Sequence, residues 1–171
     1  MKRFTTSLAL VFALVFAFGA LNAAEESAWF DMENCGMCAP MTAEKGLMEN
    51  INWENHNISN GMLSIATPPA EYAEAFDRAC ASMDALVKKM MAGDVMEMTL
   101  CGHCNSYSSI MGAGAKIEKI VTKNGRLTLL TSSDEKIVGK IHAHVERTNA
   151  EMAKMMEAMT KESGHEGHAH D

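Results

Sequence analysis

Cys35-Gly36-Met37-Cys38 and Cys101-Gly102-His103-Cys104 lie 66 residues apart, and the sequence around them is written twice. Upstream, Phe30-Asp31-Met32 matches Met96-Glu97-Met98 at the same offset; downstream, Gly46 matches Gly112. The offset then shortens to 64, so that Asn60-Gly61 matches Asn124-Gly125 and Leu63 to Thr67 matches Leu127 to Thr131. A repeat of this length constrains the whole fold, because whatever one copy forms the other should form too.

Each copy opens with a short stretch of alternating apolar and polar residues, Ala28 to Asn34 and Val95 to Leu100, which reads as a strand. The cysteine pair follows, and after it a modest helix: about Ala39 to Glu49 in the first copy and a Gly- and Ser-rich Asn105 to Gly114 in the second. Two strands come next, Ile51–Ile58 with Met62–Thr67, and Lys116–Thr122 with Arg126–Thr131. The Asn-Gly pair between them is a hairpin signal, because both residues accept positive φ.

A long helix closes each copy, Ala70 to Ala92 and Asp134 to about Met159. Ala73, Phe76, Cys80, Met83, Val87 and Met90 form an apolar stripe along the first, and Val138, Ile141, Val145, Thr148, Met152, Met155 and Met159 along the second. Pro68 and Pro69 open the first helix and Gly93 stops it, while Ser132 with Glu135 reads as a capping box for the second. The expected fold is therefore α+β: two tandem β-α-β-β-α units in a ferredoxin-like layout, six strands in all, with long second helices. A three-stranded sheet is marginal alone, so the copies are expected to share a core about a pseudo-twofold axis.

The chain begins Met-Lys2-Arg3, and then Leu8 to Phe18 runs almost without a polar side chain. About 11 apolar residues fall short of the roughly 20 that span a bilayer, so residues 1–23 read as a secretory signal peptide. Domains are then 24–93 and 94–160, followed by a His-rich tail at 161–171 with too little apolar content to order itself. The expected location is periplasmic or secreted, with no membrane attachment after cleavage. Loss of Lys2 and Arg3 takes the net charge from −7 to −9, which excludes nucleic acid as an expected partner. No Ser-His-Asp set, phosphate loop or carboxylate pair is recognisable, so hydrolysis and phosphoryl transfer have little support and no enzyme activity is expected.

Two cysteines separated by two residues, between a strand end and a helix start, put both sulfurs near unpaired amides and the positive end of a helix dipole. Thiolate is the form favoured there, and it serves three chemistries: a structural disulfide, a soft-metal site, or thiol-disulfide exchange. In the first case the pairs need no cofactor. Sixteen methionines against six phenylalanines add a supply of thioethers. Most fall on the helix stripes, but Met32, Met37, Met41, Met96 and Met98 crowd the cysteines. His165, His168 and His170 in the tail, and His103 between the second pair of cysteines, are candidate imidazole ligands. Cys80 falls in an apolar stripe and reads as a buried free thiol.

In layout the first unit resembles the heavy-metal-associated domains of copper chaperones and copper-transporting ATPases, whose Met-x-Cys-x-x-Cys lies where the first strand meets the first helix. The likeness covers roughly residues 28–100 and, more loosely, 94–160. It departs in placing Met32 and Met98 three residues before the first cysteine rather than two, and in having no strand after the last helix. The resemblance implies that Cys35 with Cys38, and separately Cys101 with Cys104, each hold Cu(I) or another soft transition metal ion. Met32, Met37 and Met98, which crowd the pairs, are candidate supporting ligands, and an exported metalloprotein or transporter is an expected partner. Cys101-Gly102-His103-Cys104 is similar as well to the active-site tetrapeptide of protein disulfide isomerases. Prolines occur only at 40, 68 and 69, so the Pro loop that faces the cysteines in that family has no counterpart.

Overall fold

A computed structural model describes residues 28–94 and 97–163, with side chains through 158. The leader, Val95, Met96 and the histidines of the tail lie outside the described residues. Among the described residues there are four strands and five α-helices: α1 (Ala39–Thr42), α2 (Leu47–Asn50), β1 (Asn52–Ile58), β2 (Gly61–Thr67), α3 (Ala73–Ala92), α4 (Gly102–Gly112), β3 (Lys116–Thr122), β4 (Gly125–Thr131) and α5 (Glu135–Ser163). A 3-10 turn at Ala70–Tyr72 after Pro69 leads into α3. None of these helices is long and apolar enough to cross a membrane.

The strands form one antiparallel sheet in the order β1-β2-β4-β3, two hairpins joined along β2 and β4. The register at that joint is symmetric: Ser64 faces Thr128, its own counterpart 64 residues on, with Leu63 opposite Leu129 and Ile65 opposite Leu127. A pseudo-twofold axis therefore passes between Ser64 and Thr128 and exchanges the repeats. Each long helix reaches the other repeat's hairpin. Asp77 and Asp84 on α3 pair with Arg126 on β4 and Lys119 on β3, while on α5 His142 bonds the carbonyl of Ile58 and Asn149 donates to that of Asn55.

Two apolar clusters lie under the helices. Phe76 and Ala79 of α3 pack with Met41, Leu47, Ile51 and Ala66; Ile141 and Val145 of α5 pack with Met62, Ile110, Ala115 and Leu130. Met62 comes from the first repeat and Leu130 from the second, so the second cluster belongs to neither alone. The stripes are buried only in their N-terminal halves, and Val87, Met91, Met155 and Met156 are exposed. Met41 is a core residue rather than a companion of the cysteines.

Several expectations are corrected. Each repeat supplies two strands among the described residues instead of three, because the segments at 28–34 and 97–100 form loops. Residues 31–34 turn: the Asp31 carboxylate accepts from the Asn34 backbone and side-chain amides, and the Cys35 amide bonds the Asp31 carbonyl. The single helix expected at 39–49 is two short ones, divided at Gly46 with φ 76°, where the Tyr72 hydroxyl leaves no room for a β-carbon. The cap of α5 is Asp134, which accepts from the Lys136 amide, while Ser132 accepts from Asp134 itself, so the Ser132–Glu135 box does not form.

Both hairpins form at the expected places, for a different reason. Among the described residues none other than glycine has positive φ, so Asn60 and Asn124 do not take the conformation that an Asn-Gly turn usually requires. Gly61 and Gly125 instead begin β2 and β4, where a β-carbon would collide with the backbone carbonyls of Leu130 and Ala66 respectively. Close approach of the two repeats selects these glycines. Gly61→Ala or Gly125→Ala is expected to destabilise the protein by about 2 kcal/mol or more through forced separation of the strands, which a urea melt measures. An unchanged midpoint would place the β2–β4 joint elsewhere.

Candidate metal centre

The segments that precede the two cysteine motifs bring them face to face. The Gly36 amide donates to the Thr99 carbonyl at 3.0 Å, and the Gly102 and His103 amides donate to the carbonyls of Ala28 and Trp29 at 3.0 and 2.9 Å. Each motif is thus held by the segment that precedes the other. Cys38 is the N-cap of α1 and Cys101 that of α4. The amides of Cys38 and Ala39 bond the Cys35 carbonyl, and that of Asn105 bonds the Cys101 carbonyl, which winds both motifs into the start of a helix.

The result is one site. The Sγ atoms of Cys35, Cys38, Cys101 and Cys104 all lie within 4.8 Å of one another, and none is in a disulfide. A tetrahedral ion with metal–sulfur bonds of about 2.3 Å needs its sulfurs about 3.8 Å apart. Cys38 Sγ and Cys104 Sγ are already 3.7 Å apart, so the donor set fits a single ion after a contraction of at most about 1 Å. Cys35 and Cys101 are buried at 1% exposure and form the floor; Cys38 and Cys104 are half-buried and form the mouth.

The thiols are electrostatically unequal. The hydrogen bond with Cys104 pulls the Cys38 thiol down to about 6, against the opposing effect of burial. Cys104 is pushed far up by the same bond and by burial, and burial raises Cys101. At neutral pH the metal-free centre thus carries one ready thiolate, and the remaining protons leave when a cation replaces them.

Of the other ligands expected from the sequence, Met98 rests on the loop: its Cγ and Sδ lie 2.7 and 2.9 Å from where a β-carbon on Gly36 would sit. Gly36 is the residue that lets a thioether rest on the first motif. Met32 and Met37 are half-buried on the same loop. His103 is not among the clustered donors. Its ring packs on Phe30, Trp29 and His144, with centroids 5.4, 5.9 and 4.7 Å away. His165, His168 and His170 lie outside the described residues.

Sequence reasoning missed this aromatic and imidazole wall. His144 is 3% exposed, its Nδ1 lies 2.9 Å from Ser106 Oγ, and Trp29 and Tyr107 flank its ring. Burial lowers both His103 and His144 to about 4, with the neighbouring His144 adding to the effect at His103. The pair is neutral at physiological pH. Trp29 also carries the Arg147 guanidinium over its ring at 4.7 Å. The one signal in the sequence was the position of His144 near the apolar stripe of α5; nothing local linked it to the second cysteine motif.

Comparison with models of known protein families, with curated proteins and with solved structures finds no match.

Proposed function

We propose that this is an exported protein that binds a thiophilic transition-metal ion for sequestration, delivery or tolerance, with Cu(I) as the first candidate cargo. The observation that carries the reading is the convergence of four thiols from two distant motifs within 4.8 Å. Four soft donors at this spacing suit Cu(I) and Zn(II) and are poor ligands for hard ions such as Mg(II) and Ca(II). The Met98 thioether over Gly36 and the apolar leader favour copper handled outside the cytoplasm. A metalloprotein or transporter in the same compartment is the partner this role implies. No catalysis is part of the proposal.

The test is metal analysis of protein purified anaerobically, followed by competition against chelators of known affinity for Cu(I) and for Zn(II). Near-stoichiometric metal and competition with the Cu(I) chelator are the expected results. Reduced protein that leaves both ions with weak chelators would overturn the reading. A second reading, thiol-disulfide exchange with exported proteins, is favoured by the lowered thiol of Cys38 at the half-buried mouth of the centre, beside Cys104 Sγ at 3.7 Å. Insulin reduction at a rate near that of dedicated exchange catalysts, abolished by Cys38→Ser, would move that reading to first place.

A further inference from the structure

We infer that the four-thiol centre is also an oxidation site, and that its product is a disulfide between the repeats, Cys38 to Cys104, in place of the within-motif disulfides that the Cys-x-x-Cys spacing suggests. The inference concerns the fate of the same sulfurs under oxidising conditions. Its consequence for metal rests on the reading above, whereas the disulfide itself does not.

Access comes first. Cys35 and Cys101 are 1% exposed, so a reagent larger than water cannot reach their sulfurs from solvent. Cys38 and Cys104 stand at the mouth and are only half-buried. An oxidant therefore meets one of these two. Once one has reacted, the thiol that resolves the adduct is its neighbour at 3.7 Å. A disulfide requires about 2.05 Å, so from 3.7 Å the sulfurs must close about 1.7 Å. The backbone is already held in place from both sides by the bonds from Gly36 to Thr99 and from Gly102 and His103 to Ala28 and Trp29.

The chemistry balances with a small disulfide such as oxidised glutathione. The thiolate of Cys38 or Cys104, whichever meets the reagent, attacks one of its sulfurs, forming a mixed disulfide and expelling one glutathione thiolate. The other of the two loses its proton and attacks the protein sulfur of that adduct, forming the Cys38–Cys104 bond and expelling the second thiolate. Two protein thiols are oxidised and one glutathione disulfide is reduced to two glutathiones. The bond closes a loop across 66 residues and removes two donors from the centre, so metal and disulfide exclude each other. The two floor thiols remain reduced. The protein would release its ion as the compartment becomes more oxidising and would lock its two repeats together in the same step.

The experiment uses the full, metal-free, reduced chain carrying Cys80→Ala, so that four thiols remain, treated with oxidised glutathione and mapped by proteolysis without reductant. The expected fragment joins the Cys38 and Cys104 peptides, with Cys35 and Cys101 alkylated only after denaturation. In Cys38→Ser the expected species is a persistent glutathione adduct on Cys104. Circular dichroism before treatment establishes that each variant is folded, and the Cys80→Ala parent alone decides the matter if a serine variant is not. Cys35–Cys38 and Cys101–Cys104 fragments, a scrambled mixture, or no intramolecular disulfide at all would each overturn the inference. Formation of the cross-link in a protein that binds no Cu(I) or Zn(II) would leave it standing while removing the metal reading; tight metal binding with within-motif disulfides would do the reverse.

Discussion

Replacing Cys35 and Cys38 by serine is expected to abolish tight metal binding by the whole protein, not to halve it. Two independent sites would leave Cys101 and Cys104 holding an ion of their own. In one composite site, the second pair is left with half of its donors. Four-ligand structural zinc sites are worth about 10–16 kcal/mol, so a single thiolate contributes about 3 kcal/mol and its loss weakens binding roughly a hundredfold. Losing two compounds this. Cys101→Ser alone should show the roughly hundredfold step, and chelator competition on anaerobic protein measures both. Residual binding at half the wild-type stoichiometry and full affinity would restore the picture of two separate pairs.

A second large effect is expected on acidification of the metal-free protein. His103 and His144 titrate near 4 in the folded chain and near 6.5 when unfolded. Between those values the unfolded state binds the protons and the folded state does not. Stability is therefore full above pH 6.5 and is lost as pH falls towards 4. Each shift corresponds to about 3 kcal/mol at 1.36 kcal/mol per pH unit. With total stabilities commonly about 5–15 kcal/mol, the two together are a large fraction. The rings are 4.7 Å apart, so they titrate as a pair and their contributions are not simply additive. Urea midpoints at pH 7.5 and 4.5 should differ strongly in the parent and less in His144→Gln. A midpoint constant over that range would mean that the histidines are charged or solvated in the folded protein.

Much of the fold was legible in the sequence because it follows from local rules acting twice. The offset of 64 between Asn60-Gly61 and Asn124-Gly125 carries β1 and β2 onto β3 and β4 residue for residue, and the boundaries of both hairpins lie within a residue of those expected. The long helices were legible from their stripes. What failed were inferences from short alternation. Phe30 and Met32 alternate with Asp31 and Glu33 as strand residues do, yet Trp29 and Phe30 pack against His103 and His144, and the carbonyls of Ala28 and Trp29 accept from the first amides of α4 instead of from a strand. Period two over so few residues reports partial burial, whatever covers it.

The site was legible as residue types and not as an arrangement. Cys35, Cys38, Cys101 and Cys104 stand out by motif. That they meet is a property of the β2–β4 joint and of the crossing loops, both of which depend on contacts between residues about 66 apart. Met98 was nominated for standing near Cys101 in sequence and lies instead against Gly36 in the first motif. His103 was nominated for its place between two cysteines, but helix α4 turns its ring into the aromatic wall.

The most direct measurement of the central claim is native mass spectrometry of the anaerobically metal-loaded protein, with X-ray absorption on the same sample to count sulfur donors. One ion per chain, ringed by sulfur from both motifs at a distance near 2.3 Å, is the expected result. Two ions per chain, each bound by only two cysteine sulfurs and each removed independently by changing its own motif, would contradict it.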